Sequence, residues 1–198
     1  MTQTSPDAAV APDVDGLVIG VLGGTGEQGR GLAWRFARAG LSVVLGSRDA
    51  ARAEAAAAEL RGPATTGVIV GATNADCAQR SDIVIAAIPW EGHADLLVSL
   101  RDELAGKVVV DCVNPLGFDK SGAFALPVPE GSAAQQAADL LPDSRVVGAF
   151  HHVSAVLLLD PSVEQLDTDV LVLGDDRAST DLVQALAARI PGMRGIYA

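Results

Sequence analysis

The chain has 198 residues, of which 49% are hydrophobic and 4% are aromatic, and its formal net charge at pH 7 is −11. This length is enough for one well-buried domain, and no apolar run approaches the roughly 20 residues that a membrane-spanning helix needs. The acidic balance argues against nucleic acid as a partner, because binding to a phosphate backbone requires clustered Lys and Arg.

The first 16 residues are predicted to form a disordered leader. They are rich in Ala, Pro, Thr and Asp and lack the basic start and apolar core of a secretory signal. Cys77 and Cys112 are isolated cysteines with neither metal-ligand nor disulfide spacing. They are predicted to be buried thiols in a reducing compartment, which indicates a cytoplasmic protein.

From residue 17 onward, short apolar runs typical of strands alternate with segments of helical periodicity. Strands are predicted at 17–22, 41–45, 66–70, 82–88, 107–112, 145–150 and 169–173. Helices are predicted at 27–39, 49–60, 74–80, 91–104, 132–140 and 179–190. This alternation predicts one α/β domain over residues 17–198, with a doubly wound, Rossmann-like and mostly parallel sheet and additional α/β elements at its C-terminal end.

Two stretches depart from this alternation. Residues 116–131 are predicted to form a loop that is too long to be a simple connection, and residues 151–160 are apolar without a clear period. At the helix boundaries, Gly40 is predicted to follow the first helix as its C′ residue, and Asn74 and Ser132 are predicted to cap later helices.

A glycine cluster joins the first predicted strand to the first predicted helix. Gly24, Gly26 and Gly29 have the G-x-G-x-x-G spacing of dinucleotide-binding turns. The first glycine permits the tight turn, the second lets backbone N–H groups approach a pyrophosphate, and the third lets the helix pack closely on the strand. The alternative is a tight turn without a ligand, but the strand, helix and second strand around it favour dinucleotide binding.

The end of the second strand predicts which dinucleotide binds. NAD sites place an Asp or Glu here, whereas NADP sites favour Arg with small hydroxyl donors. The strand ends in Ser47 and Arg48, and Arg52 follows one helical turn later. These residues predict a 2′-phosphate site and therefore NADP(H), with the neighbouring Asp49 pointing away. The alternative is a solvated helix start with incidental arginines.

Further motifs follow other predicted strands directly. Ile88, Pro89 and Trp90 end one strand, and Asn114 follows the next. Because the carboxyl ends of parallel strands share one edge of the sheet, these motifs are expected to converge with the glycine turn. Pro89 either forms an apolar wall against a ligand or simply ends a buried strand. Trp90 either stacks on a ligand or packs in the core. Asn114 either closes the pocket or caps a turn.

His151 and His152 follow the strand predicted at 145–150, and two histidines without a third ligand do not predict a metal site. His151 either donates a hydrogen bond to a substrate on which charge develops or is a loop histidine bonded to the backbone. His152 is not expected to contact the substrate directly. His93 is predicted to be a surface residue near the start of its helix.

Four of these motifs together resemble the NADPH-dependent coenzyme F420 reductase family, also called F420-dependent NADP oxidoreductase. They are Gly-Gly-Thr-Gly-Glu-Gln-Gly at 23–29, Gly-Ser-Arg at 46–48, Ile-Pro-Trp-Glu at 88–91 and Asn-Pro-Leu at 114–116. The resemblance runs from about residue 17 to the C-terminus. It implies a two-electron hydride exchange between C4 of the nicotinamide of NADP(H) and C5 of the 5-deazaflavin coenzyme F420.

The resemblance also implies roles for individual residues. The family's cofactor residues fall on Thr25, Gln28, Ser47, Arg48, Arg52, Ile88, Pro89, His151 and Val153. Pro89, beside the nicotinamide, and His151, which with Val153 would line the deazaflavin site, are the catalytic candidates. Relatives generally continue beyond Tyr197 with a helix that helps dimerisation and covers the deazaflavin pocket. The chain is therefore expected to be truncated or to have an altered pocket. The apolar C-terminal half indicates a homodimer.

Two rival functions share the glycine turn. One is another small NADP-dependent reductase that acts on an imine or on free flavin. The other is a non-catalytic module that senses NADP(H) and shifts assembly with a partner. The motif at 88–90 and the long loop at 116–131 favour a second small-molecule ligand, and hence an enzyme.

Overall fold

The computed structural model describes residues 12–198. The strands are β1 Val18–Leu22, β2 Ser42–Ser47, β3 Ile69–Thr73, β4 Ile83–Ala86, β5 Val108–Asp111, β6 Leu116–Asp119, β7 Gly122–Ala125, β8 Arg145–Gly148, β9 Thr168–Val172 and β10 Met193–Tyr197. The helices are α1 Glu27–Arg38, α2 Ala50–Leu60, α3 Asn74–Arg80, α4 His93–Ser99, α5 Arg101–Leu104, α6 Ala133–Leu140, α7 Ala155–Leu159 and α8 Arg177–Ala187.

Six strands form the central sheet in the order β3-β2-β1-β4-β5-β8, and every neighbouring pair is parallel. The chain moves outward from β1 to β3 and then crosses to β4 on the other side of β1. The strand order therefore reverses between β1 and β4, and doubly wound folds bind their ligands at the carboxyl ends of strands beside such a reversal. The predicted Rossmann-like fold is confirmed.

The core lies on both faces of this sheet. In β4, Ile83 and Ile85 pack into one hydrophobic cluster, while Val84 and Ala86 pack into the cluster on the other face. All four residues are fully buried. This double burial explains why the strand is continuously apolar rather than alternating. Of the described residues, 12–198, none belongs to a helix long and apolar enough to span a bilayer.

The structure differs from the sequence-based prediction at both ends of the domain. Residues 1–11 of the predicted leader lie outside the described part of the chain. Within the rest of that leader, Val14 is buried in the core and Asp15 pairs with Arg189. Beyond the predicted elements, β10 pairs in parallel with β9.

The predicted loop at 116–131 contains the antiparallel hairpin of β6 and β7. Every residue of β7 is exposed, so its sequence lacks the alternation of buried apolar and exposed residues that predicts a strand. In the apolar segment at 151–160, residues Ala155–Leu159 form α7, which Ser154 caps through a hydrogen bond from the N–H of Leu157.

Several strands and helices begin or end at residues other than those predicted. The third strand is Ile69–Thr73 instead of 66–70, because pairing with β2 continues through Gly71 to Thr73. A side chain at residue 71 would meet the backbone nitrogen of Glu54 at 2.1 Å, so its glycine lets α2 lie against the strand. The helix predicted at 91–104 consists of α4 and α5, and α4 begins only at His93, after Gly92 with φ 86°.

Helix capping was predicted correctly at two of three positions. Gly40 has φ 90° and its N–H donates to the carbonyl of Ala37, which ends α1 as expected. Ser132 accepts a hydrogen bond from the N–H of Gln135 at the start of α6. The cap of α3 is Thr73 rather than Asn74, because the extended backbone of Thr73 lets its hydroxyl accept from the N–H of Asp76.

Candidate functional site

A cavity of about 360 Å³ lies at the carboxyl ends of β1, β2 and β4. We call it the first cavity. The residues predicted to bind a dinucleotide that line it are Thr25, Gly26, Ser47, Arg48, Arg52, Ile88 and Pro89. These residues come from three separate motifs of the sequence, and the fold brings them to one place.

The glycines of the turn after β1 divide into two kinds. A Cβ on Gly24 would approach Leu45 to 2.3 Å, and one on Gly29 would approach the Cα of Gly24 to 2.9 Å, so these two glycines serve internal packing. A Cβ on Gly26 would meet only the carbonyl of Gly23, at 3.5 Å. Gly26 has an ordinary φ of −80°, so backbone strain does not require a glycine there either.

The space beside Gly26 therefore belongs to the cavity, which is what close approach of a pyrophosphate requires. Gly26 is also the N-cap of α1, and it provides no side-chain hydrogen bond to the first turn of the helix. The backbone N–H groups of that turn and the helix dipole favour an anion at this point. The turn thus fits the phosphates of a dinucleotide.

The other end of the first cavity is cationic. Arg48 and Arg52 are exposed, and neither forms an ion pair with any residue between 12 and 198. Asp49 does not compete for them, because its carboxylate accepts from the N–H of Arg52 as the N-cap of α2. Ser47 is nearly buried, and its hydroxyl accepts from the N–H of Asp49. This arrangement suits a phosphate monoester.

Asn74 is a residue of this cavity that the sequence analysis read as a helix cap. Its side-chain oxygen lies 3.5 Å from the backbone nitrogen of Gly23, which is the first residue of the glycine turn. Its position directly after β3, at the same edge of the sheet as the other motifs, is the feature of the sequence that could have placed it in the site.

A second cavity, of about 310 Å³, adjoins the first. The two share Gly26, Ala87, Ile88 and Pro89 in their linings. The rest of the second cavity includes three candidates from the sequence, which are Gln28, Asn114 and His151. The segment after β4 is therefore a common wall between the two spaces.

His151 lines the second cavity, where a backbone hydrogen bond and its surroundings fix it. Its carbonyl oxygen accepts a 2.7 Å hydrogen bond from the amide of Asn114, and the preceding Phe150 adopts φ 64°, which turns the chain after β8. Burial lowers the pKa of His151, the neighbouring His152 lowers it further, and the charge of Asp111 partly opposes both. The His151 imidazole is therefore neutral at pH 7.

Three other candidates lie outside these two cavities. Val153 is buried in the core cluster and lines neither of them, because the turn at Phe150 directs it inward. Trp90 is half-buried and stacks on His93 with ring centroids 5.4 Å apart. His152 is exposed, and its Nε2 lies 2.8 Å from the carbonyl of Asp169.

The surface position predicted for His93 is wrong. Its side chain is completely buried, and Nε2 lies 2.7 Å from a carboxylate oxygen of Asp111, which is also completely buried. The partner comes from the neighbouring strand β5, so the helical pattern around His93 carried no sign of it. Cys112 is buried as predicted, and it lines the second cavity.

A third cavity, of about 400 Å³, continues from the second and shares Val113, Asn114 and His151 with it. It lies between the β6–β7 hairpin and the start of α6, and its lining includes Leu116 and Ala125. The long connection after β5 therefore extends the space beside His151.

The fold, the glycine turn and the cationic end of the first cavity define a dinucleotide-binding protein of the Rossmann type. Residues 18–115 match the family described as coenzyme F420-dependent NADP oxidoreductase. The F420-dependent NADP reductase of Methanothermobacter thermautotrophicus is 41% identical over 187 residues, which cover 91% of this chain and 80% of that protein. The F420-dependent NADP reductase of Methanocaldococcus jannaschii is 37% identical over 187 residues, covering 91% of this chain and 82% of that protein.

A crystal structure from Arthrobacter sp. FB24, assigned to the F420-dependent NADP reductases, superimposes with a TM-score of 0.75 at 30% identity. The match covers 92% of this chain and 84% of the other. The chain belongs to the family of coenzyme F420-dependent NADP oxidoreductases, and it is an oxidoreductase.

Proposed function

We propose that this protein transfers a hydride between NADP(H) in the first cavity and coenzyme F420 in the second. The observation that carries the proposal is the common wall of Ile88 and Pro89, which both cavities contact. Two cofactors that exchange a hydride need their reacting carbons within about 3–3.5 Å, and adjoining cavities with one shared wall permit that approach.

The first cavity would orient NADP(H) through contacts with its phosphate groups. The N–H groups in the first turn of α1 would hold the pyrophosphate, and Arg48, Arg52 and Ser47 would hold the 2′-phosphate. The nicotinamide would then lie at Ile88 and Pro89, at the end of the cavity that adjoins the second one. Anchoring the phosphates in this way would fix the position of the nicotinamide ring.

When bound, the nicotinamide and the deazaflavin supply the redox chemistry: NADPH and F420 with one proton give NADP⁺ and reduced F420. The chain supplies position and a dry apolar wall, with Pro89 against the rings. His151, whose pKa burial lowers, is a neutral donor or acceptor beside the deazaflavin, where charge changes during transfer. Cys112 takes no part as a nucleophile, because burial raises the pKa of its thiol.

The test is to mix the protein with NADPH and oxidised F420, and in parallel with NADPH and free flavin mononucleotide or a cyclic imine. We expect the absorbances of NADPH and oxidised F420 to fall together, with no comparable change for the other acceptors. Turnover of flavin or imine alone would establish the first rival reading. Tight NADPH binding without turnover of any acceptor would establish the sensing module.

We also propose that the protein acts in the cytoplasm and as a homodimer. The support for a dimer is the β6–β7 hairpin, on which Phe118 is 76% exposed and Phe124 is 45% exposed. Buried, unpaired Cys77 and Cys112 suit a reducing compartment. A mass in solution equal to one chain at micromolar concentration would contradict the dimer, and cell fractionation tests the compartment.

A further inference from the structure

The pair of His93 and Asp111 lies directly behind the common wall. Both side chains are completely buried, and neither lines any of the three cavities. A buried ion pair is expensive to desolvate and is weak evidence for stability by itself. Its position at the start of α4 and the end of β5, the two elements that flank the cavities, points to a role in the site.

The hydrogen bonds around His93 determine how many protons the pair holds. The amide nitrogen of Gln136 lies 3.3 Å from both carboxylate oxygens of Glu130, which orients that amide. Its oxygen therefore faces Nδ1 of His93, at 3.0 Å, and accepts a hydrogen bond from it. Nε2 of His93 faces a carboxylate oxygen of Asp111 at 2.7 Å. Both ring nitrogens meet acceptors, and only the doubly protonated imidazolium can donate to both.

The same pair connects the turns that form the cavity walls. The His93 ring stacks on Trp90, and its backbone N–H donates to the Trp90 carbonyl at 3.1 Å, which closes the turn after Pro89. The second carboxylate oxygen of Asp111 accepts from the N–H of Val113 at 3.0 Å, which shapes the turn leading to Asn114. The 2.7 Å contact between the two side chains therefore joins both walls of the second cavity.

We propose that His93 is a positioning residue of this oxidoreductase: as a buried imidazolium paired with Asp111, it fixes the turn of Ile88 to Trp90 relative to the turn of Cys112 to Asn114. It also cancels the charge of Asp111, which would otherwise repel anionic cofactors in a chain of net charge −11. The kinetic part of this proposal rests on the proposed function, whereas the protonation of His93 does not.

The direction of the pH dependence follows from the groups around the ring. Burial opposes the charge on His93, but the hydrogen bond and charge of Asp111 and the hydrogen bond of Gln136 outweigh it, so the pKa of His93 lies above its ordinary value. The other titratable groups that face the cluster are Glu130, His151 and Cys112. Glu130 accepts hydrogen bonds from Gln136, and the charge of Asp111 favours the protonated forms of both His151 and Cys112. The proton of His93 is therefore lost at a higher pH than from an ordinary imidazole.

The charge state is tested without any cofactor. The chain has three histidines, so ¹⁵N-histidine labelling gives three imidazoles to observe by NMR. We expect one of them to show two protonated ring nitrogens at pH 7 and to titrate at a higher pH than an ordinary imidazole. The H93Q variant should remove this signal, and the matched control H152Q should leave it. A His93 ring with a single proton at pH 7 would overturn the proposal.

The positioning role is tested by pH profiles of kcat/KM for F420 and of NADPH affinity. In the native protein we expect both to fall as the pH rises through the titration of His93. H93Q can still donate to Asp111 but does not titrate, so its profile should be flat over that range. H93L should lose about 10-fold to 100-fold in kcat/KM for F420, with partial rescue in H93Q.

E130Q provides a milder variant should H93L not fold. It leaves the pair with Asp111 intact and weakens the anchor of Gln136, so the alkaline limb should move to lower pH. An H93Q profile identical to that of the native protein would refute the positioning role. Absent F420 turnover, with NADPH affinity that still follows the titration of His93, would instead reject the proposed acceptor and leave the role of His93 standing.

Discussion

The side-chain amide of Asn114 donates a 2.7 Å hydrogen bond to the carbonyl oxygen of His151, which joins the turn after β5 to the turn after β8. The two residues are 37 positions apart in the chain and meet only because β5 and β8 are neighbouring parallel strands. The bond fixes the backbone of His151 in the lining of the second cavity, to which Pro89 also belongs.

Replacement of Asn114 by Asp tests this link, because Asp has the same shape but offers no donor. One hydrogen bond contributes about 0.5–1.5 kcal/mol, so we expect kcat/KM for F420 to fall by about 3-fold to 10-fold. The KM for NADPH should change little, because Asn114 does not line the first cavity. Steady-state kinetics with each substrate varied would show this split, and an equal loss for both substrates would contradict it.

Gly24 and Gly26 form a matched pair for testing the phosphate turn. Gly24→Ala should destabilise the fold, because its Cβ would lie 2.3 Å from Leu45 and 2.9 Å from the carbonyl of Val21. Gly26→Ala meets no such obstacle inside the protein, so its free energy of unfolding should stay within about 1 kcal/mol of the native value.

Gly26→Ala should instead raise the KM for NADPH at least about 10-fold, because the methyl group occupies the space of the approaching phosphates. Urea unfolding and NADPH titration measure the two effects separately. A Gly26→Ala variant that binds NADPH like the native protein would show that the turn does not hold the pyrophosphate.

Cofactor preference should depend on Arg48 and Arg52. The double substitution to Ala removes both cations from the first cavity, and we expect kcat/KM for NADPH to fall by about 100-fold or more while that for NADH changes little. Arg80→Ala is the control, because Arg80 is an exposed arginine at the end of α3 that does not line this cavity. A double variant with unchanged preference for NADPH would refute the assignment of the 2′-phosphate site.

The sequence alone predicted the site best where a motif follows a strand buried on both faces. β1, β4 and β5 are short apolar runs, so their carboxyl ends, and with them Gly24 to Gly29, Ile88 and Asn114, could be placed at one edge. The hairpin of β6 and β7 could not be predicted in this way. Most of its residues are exposed, and its pairing is local rather than patterned by the core.

The residues behind the site were not predictable from local pattern. His93 is followed by an ordinary amphipathic segment, and its burial depends on Asp111 in another strand and on Gln136 in another helix. Val153 was expected in the deazaflavin site but packs into the core, where its N–H donates to the carbonyl of Phe150 at 3.3 Å. Such tertiary partners leave no periodic signal.

The stability of the protein should fall on acidification in a way that depends on His151. Burial holds the pKa of His151 below its ordinary value of 6.5, so the unfolded chain binds the proton more readily than the folded one. The folded state therefore loses stability as the pH drops below that value, and it gains nothing further at higher pH.

Urea unfolding between about pH 5 and pH 8 measures this dependence. In His151→Asn the part of the acid decline that comes from this residue should be absent. His152→Asn should keep most of it, because burial lowers the pKa of His151 more than the charge of His152 does. Parallel curves for the native protein and His151→Asn would mean that His151 titrates equally in both states.

Arg35 fixes the segment that follows His151. It is 2% exposed and donates to four carbonyl oxygens, those of Leu157, Leu158, Asp160 and Val163, at 2.7–3.1 Å. Arg35→Met would leave these acceptors without their donor, the carbonyl of Leu158 in the core and the other three in partly buried places, and we expect a loss of about 3 kcal/mol in the free energy of unfolding. Arg38→Met is a close control, because Arg38 lies over the same Trp34 ring, 4.8 Å from its centroid, and should cost about 1 kcal/mol or less. Equal losses in the two variants would show that the carbonyl contacts of Arg35 add no stability beyond its packing on Trp34.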